Sequence, residues 1–255
     1  MNEVRAKKFL GQHFLTDEGI ARRIVESLSG RSNHVIEIGP GMGVLTKYLI
    51  EDKGLDFRVV EIDRESVAWL HDHYPTLDVI EGDFLKLDLT ALFHDSFAVI
   101  GNFPYNISSQ ILFRVFECRN QAVEVVGMFQ KEVAERVAAG PGSKTYGILS
   151  VLLSAFYNIE YLFTVHEHVF NPPPKVKSAV IRLTRNDVSA LECDEELFVK
   201  VVKAGFNQRR KTLRNALRSA GLDIDRVPDE MLAKRAEQLS TNEFISLTKH
   251  IESCR

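Results

Sequence analysis

Cysteine is scarce in this 255-residue chain: Cys118, Cys193 and Cys254 are widely separated and odd in number. That excludes a disulfide-stapled scaffold and a cysteine-built metal centre, and it fits a reducing compartment. The eight histidines form no helical pair at ligand spacing, and His166 and His168 read as surface residues, so no metal site is expected. No apolar run approaches the ~20 residues of a membrane helix. Residues 1–10 are polar and basic, without the apolar centre of a secretory signal. A cytoplasmic protein with no membrane partner is therefore expected. Internal repeats and low-complexity tracts are missing too. The formal net charge of −3 offers no overall basic excess for a nucleic acid, but the charge is unevenly placed. Residues 34–101 hold thirteen acids and five bases, whereas residues 171–218 hold eleven bases and five acids. Such asymmetry points to one region that binds a polyanion.

What is present is a series of short apolar runs, each ending in a residue suited to hold a ligand. His34–Ile38 reads as a buried strand and leads into Gly39-Pro40-Gly41-Met42-Gly43, followed by a helix. Strand, glycine turn and helix make a nucleotide-binding arrangement, because glycine lets backbone approach the ligand closely. The dinucleotide fingerprint requires glycine at position 44, where the chain has Val44, so a smaller adenosine ligand is favoured over NAD. A plain strand–helix turn is the competing reading. The next strand, Phe57–Val60, ends in Glu61-Ile62-Asp63. Glu61 stands about twenty residues past the turn, where an acid accepts from ribose hydroxyls. Asp63 is placed to cap the following helix. A third strand ends in Glu81-Gly82-Asp83-Phe84. There Asp83 can accept from an adenine amine or cap a helix, and Phe84 can flank the ring.

The fourth strand, Phe97–Ile100, runs into Gly101-Asn102-Phe103-Pro104-Tyr105-Asn106. Asn102 offers an amide oxygen. Pro104 biases Phe103 towards extended backbone and so directs its carbonyl. Tyr105 offers a face on which a base can stack. Together they suit a flat base bearing an exocyclic amine; an ordinary turn capping the next helix is the alternative.

Outside these strand ends, the arm Arg5–Leu15 mixes three cations with Phe9, Leu10, Phe14 and Leu15. This suggests that the apolar residues pin it to the body while its cations face a phosphate or carboxylate. Phe170-Asn171-Pro172-Pro173-Pro174-Lys175 reads as a stiff polyproline segment. It is either a rigid linker or a device that sets Phe170 against the second face of the target base. After Thr184 the pattern becomes helical only. A helix over residues 207–218 carries Arg209, Arg210, Lys211, Arg214 and Arg218 and no acid, which favours a phosphate-binding surface. Two domains follow, 1–184 and 185–255.

Taken together, Phe9–Leu15, Glu37–Gly43, Gly101–Ser108, Gln130–Val133, Pro172–Val176 and Phe206–Lys211 resemble class I S-adenosylmethionine methyltransferases. More closely, they resemble the KsgA/RsmA family of small-subunit rRNA adenine dimethyltransferases. His13 and Phe103 depart from it, where asparagine and leucine are usual. The resemblance implies an α/β, Rossmann-like fold: a seven-stranded, mostly parallel sheet and a small all-α C-terminal domain. It implies S-adenosyl-L-methionine as cofactor, contacted by His13, Leu15, Gly39, Glu61, Asp83 and Asn102; Gly41, Ile62 and Phe84, beside them at the strand ends, complete the expected cofactor set. Asn102, Phe103, Pro104 and Tyr105 are then the catalytic loop. Phe170, Lys175, Arg209, Arg210, Lys211 and Arg214 are the candidates for RNA contact. The implied reaction is N6,N6-dimethylation of two adjacent adenines in the 3′-terminal hairpin loop of 16S rRNA, in the immature 30S subunit, by a monomer. Rival readings are a large-subunit rRNA adenine methylase, an assembly factor whose binding matters more than its methylation, and an NAD oxidoreductase.

Overall fold

The computed structural model describes residues 4–254. Nine strands are formed: β1 (Phe14–Leu15), β2 (His34–Ile38), β3 (Asp56–Glu61), β4 (Asp78–Glu81), β5 (Phe97–Asn102), β6 (Ala122–Gln130), β7 (Tyr157–Val165), β8 (Phe170–Asn171) and β9 (Ser178–Arg185). Seven make one sheet in the order β4-β3-β2-β5-β6-β9-β7. β4 through β6 are parallel, and β9 returns antiparallel to β6. The central strands are apolar almost throughout, as strands covered on both faces must be; Val35, Ile36, Val99, Ile100, Val125 and Val126 are all buried.

The order places the site. From β2 the chain moves outward through β3 to β4, then returns to lay β5 on the other flank of β2. β2 and β5 therefore bound the point where the winding reverses, and the crevice at their carboxyl ends is the ligand position of open α/β sheets. The glycine turn leaves β2 at that crevice, and Asn102 is the last residue of β5. Asp63 caps the helix Arg64–His73 by accepting from the Glu65 N–H at 3.3 Å, and Asp83 caps the short turn Phe84–Lys86 through the Leu85 N–H at 3.0 Å.

The chain forms two compact units: residues up to Ala134 with Ile159–Arg185, and Glu135–Asn158 with the chain beyond Asn186. The division expected at 184/185 lies one residue from the observed junction. Residues 135–158, expected in the first domain, instead belong to the helical unit. The reason is packing: apart from Ser150 and Ser154 the helix Ile148–Ser154 is apolar, and Leu149–Leu153, Ser150 included, are buried. It carries no polar face of the kind a helix on the outside of the sheet would show. The helix expected over 207–218 is interrupted. One helix, Glu195–Asn207, ends before Arg209–Lys211, and a second, Leu213–Ser219, begins after them and carries Arg214 and Arg218. The intervening turn is closed by Lys211 N–H to Gln208 O at 2.8 Å and by Leu213 N–H to Lys234 O at 2.8 Å.

Candidate active site

A cleft at the carboxyl ends of β2–β5 collects most of the singled-out residues. Its lining includes His13, Gly39, Gly41, Glu61, Ile62, Asp83, Phe84 and the run from Asn102 to Ile107. The cleft opens to solvent, and glycine backbone, acids and aromatic rings all face into it. Leu15 is not on this wall. It is buried, pairs with Phe170 in the β1–β8 ladder and lines a smaller pocket behind Asn102. Among the described residues no cluster of side chains could hold a metal ion.

Asn102 is fixed by the N-terminal arm. Its Nδ2 donates to the His13 main-chain carbonyl at 2.9 Å. That bond sets which way the amide faces, and it leaves Oδ1 with no internal donor among the described residues. The Phe103 N–H donates to Met128 O at 3.1 Å, which fixes the chain's exit from the sheet. The Phe103 ring turns inward, is 1% exposed and meets Phe129 edge-on at 5.0 Å. This leaves the Phe103 carbonyl as the part available to a ligand. A Cβ on Gly127 would lie 2.3 Å from the Phe103 ring, so the ring's seat exists only because β6 carries glycine there. Tyr105 hydrogen-bonds through its hydroxyl to Ser178 Oγ, and its ring centre lies 5.3 Å from that of His13. Burial pushes the Tyr105 phenol up.

The opposite wall suits an adenosyl ligand. Gly41 has φ +56°, and a Cβ there would strike Phe14 at 2.7 Å, so the turn keeps its backbone bare. Glu61 is 3% exposed and accepts from Gly41 N–H at 3.1 Å and Asp63 N–H at 2.8 Å. The carboxylate thus retains acceptor capacity for a ribose hydroxyl. Burial raises the Glu61 pKa, and the amides of Asp63, Gly41 and Ile62 oppose that rise. The arm is stapled beside it. Lys7 forms ion pairs with Asp63 and with Glu65, the latter at 3.1 Å, and Gln12 donates to Asp63 at 3.4 Å. Burial alone would raise Asp63; Lys7 and Gln12 outweigh it and hold the carboxyl below its ordinary value.

Several expectations are corrected. Phe170 is 4% exposed and packed in the core with Leu15 and Val169, so its ring is not presented to a base. An apolar ring following a buried valine finds more area inside than at the cleft. Phe9 does not pin the arm, being 76% exposed. Arg209 is not free for phosphate. Its guanidinium donates to Tyr146 O at 2.9 Å and Ser143 O at 3.0 Å, which ties down the 140–144 turn. Arg214 is paired with Asp229. Arg210, Lys211 and Lys175 are exposed and form no ion pair among the described residues.

Four participants escaped the sequence reading: the His13 carbonyl, Ser178, Gly127 and Glu37. Glu37 is buried two residues before the turn's first glycine, accepts from Thr46 Oγ1 at 2.7 Å and is pushed up to about 8, chiefly by burial. A charged residue inside an otherwise apolar strand was the available signal for Glu37. The other three contacts join residues far apart in the chain and leave no local pattern.

A switch-point crevice, a glycine turn and acids at two further strand ends fit a class I methyltransferase. The chain belongs to the ribosomal RNA adenine dimethylase family, whose sequence profile matches residues 3–251. It is 61% identical over 252 residues to the ribosomal RNA small subunit methyltransferase A of Cytophaga hutchinsonii, covering 97% of this chain and 98% of that one. It is 57% identical to the protein of that name from Bacteroides thetaiotaomicron over 257 residues, 99% and 96% of the two chains. Among solved structures, a dimethyladenosine transferase from Plasmodium falciparum superposes with a TM-score of 0.76 at 27% identity, covering 92% and 96%. The 23S rRNA methyltransferase ErmE superposes with a TM-score of 0.70 at 25% identity, covering 92% and 99%. The chain is an S-adenosylmethionine-dependent rRNA adenine dimethyltransferase.

Proposed function

We propose that the cleft dimethylates N6 of two adjacent adenines in the 3′-terminal hairpin loop of 16S rRNA, within immature 30S particles in the cytoplasm, and that the protein acts as a monomer. The observation that carries the chemistry is the Asn102 amide, whose nitrogen is committed to the His13 carbonyl and whose oxygen is left to accept. The relatives' names, at 54–61% identity, support the small-subunit target.

When bound, S-adenosylmethionine supplies a methyl group already electrophilic on its sulfonium. Gly39, Gly41, Glu61, Ile62, Asp83 and Phe84 are the residues that would hold it. The adenine amine is a poor nucleophile because its lone pair is delocalised into the ring. Asn102 Oδ1 and the Phe103 carbonyl accept its two hydrogens, drawing nitrogen towards a tetrahedral geometry in which the lone pair is free. As positive charge grows on nitrogen these bonds strengthen, which lowers the barrier rather than merely tightening binding. Tyr105, steadied by Ser178, gives the base a face to stack on once it leaves its loop. Arg210, Lys211 and Lys175 contact rRNA phosphates.

The test is methyl transfer to unmethylated small-subunit particles with the product bases identified. Two adjacent N6,N6-dimethyladenines are expected near the 3′ end. Methylation confined to large-subunit rRNA would overturn the target.

A further inference from the structure

Phe9 stands out among the exposed large hydrophobic residues: it is 76% exposed, against 52% for Ile62, 46% for Val176 and 36% for Tyr161. A single exposed ring is unremarkable by itself; its setting is not. Phe9 lies in the short turn Lys8–Leu10, closed by Leu10 N–H to Lys7 O at 3.0 Å and Gly11 N–H to Lys8 O at 3.1 Å. One end of that turn is anchored by the Lys7 ion pairs to Asp63 and Glu65. The other end meets the catalytic loop, where Asn106 Nδ2 donates to the Phe9 carbonyl at 3.4 Å. Leu10 and Gly11 then line the cleft itself. The Phe9 backbone is thus held at the cleft's rim, next to the residue that follows Tyr105, and its ring is left exposed there.

Its neighbours are cationic. Arg5 and Lys8 are exposed and, among the described residues, form no ion pair, whereas Lys7 between them is fully committed. An exposed aromatic face that follows unpaired cations on one short arm beside a cleft is the arrangement that binds single-stranded nucleic acid. The cations follow the backbone, and the ring stacks a base of any identity. A turn already fixed at both ends also loses little backbone freedom on binding.

We propose that Phe9 is an RNA-binding residue. It stacks on the unpaired nucleobase next to the adenine held at Asn102, so that Phe9 and Tyr105 hold two neighbouring bases of the loop apart. The proposal rests on the small-subunit reading above and assigns the flanking base to its own subsite.

Position 9 replaced by photoreactive p-benzoylphenylalanine is irradiated on unmethylated small-subunit particles, and the rRNA adduct is mapped by primer extension. Phe9→Ala and Phe9→Tyr are titrated on the same particles. The expected adduct is on the nucleotide beside the methylated adenines. Phe9→Ala should weaken binding roughly 5- to 150-fold, as loss of one stacked base does. Phe9→Tyr should retain affinity, and the affinity for S-adenosylmethionine should be unchanged in both variants. An adduct on a ribosomal protein or on distant rRNA, or wild-type affinity in Phe9→Ala, overturns the stacking role while wild-type methylation of the two adenines still stands. Absence of that methylation in the wild-type protein overturns both readings.

Discussion

The Asn102 amide, proposed as the catalytic acceptor, is oriented by a carbonyl 89 positions earlier in the chain, so its free oxygen depends on the arm. Asn102→Asp keeps the size of the side chain but sets a carboxylate oxygen against the His13 carbonyl, and both are acceptors. Loss of methyl transfer is expected, together with loosening of the arm, read as faster amide exchange over residues 7–15. Tyr105→Phe keeps the ring and leaves the buried Ser178 hydroxyl without its partner. It should cost about 1 kcal/mol of stability and only a few-fold in rate, whereas Tyr105→Ala, which removes the stacking face, should lose far more activity. Glu37 gives a pH signature. Its carboxyl is raised from 4.5 to about 8 in the fold, so between those values the native state holds a proton that the unfolded chain has released. Stability should therefore fall as pH rises across that window and level off above it. Glu37→Gln should flatten that fall in denaturant titrations taken from about pH 5 to 9.

Among the elements, β5 and β6 cooperate to seat Phe103. Gly127→Ala would place a methyl group against both Phe103 and Phe129. Overpacking of this kind costs roughly 1–3 kcal/mol. Adding Phe103→Leu, which shortens the offending ring, should restore much of the melting temperature and rate. The strands and the tip of each were legible in the sequence because short apolar runs bounded by glycine, acid or Asn-Pro have few other readings. His34–Ile38 and the helix Arg64–His73 form as read. Phe170 was not legible. Polyproline residues after it suggested exposure, but the β1–β8 pairing that buries it joins segments about 155 residues apart, and nothing local encodes that pairing. The broken helix at 208–212 was missed because its turn is closed by Lys234, again distant in sequence.

Across the whole chain, charge separates by role. The −8 of residues 34–101 falls on the glycine-turn half of the sheet, whereas the basic stretch supplies cations of two kinds. Arg209 is structural, so Arg209→Ala should lower the stability of the helical unit and leave the salt dependence of particle binding nearly unaltered. Arg210→Glu with Lys211→Glu should leave stability unaltered and reduce the salt slope by ~0.7–0.9 for each phosphate that is no longer neutralised. Composition alone could not make this distinction, because it counts cations without showing which carbonyls they already serve. No helix among the described residues is long and apolar enough to cross a membrane. The most direct test of the central claim is single-turnover methyl transfer by Asn102→Ala on unmethylated small-subunit particles, with S-adenosylmethionine affinity measured on the same preparation. A rate about 10²–10³-fold or more below wild type is expected, with a much smaller loss of cofactor affinity. Transfer near the wild-type rate would contradict it.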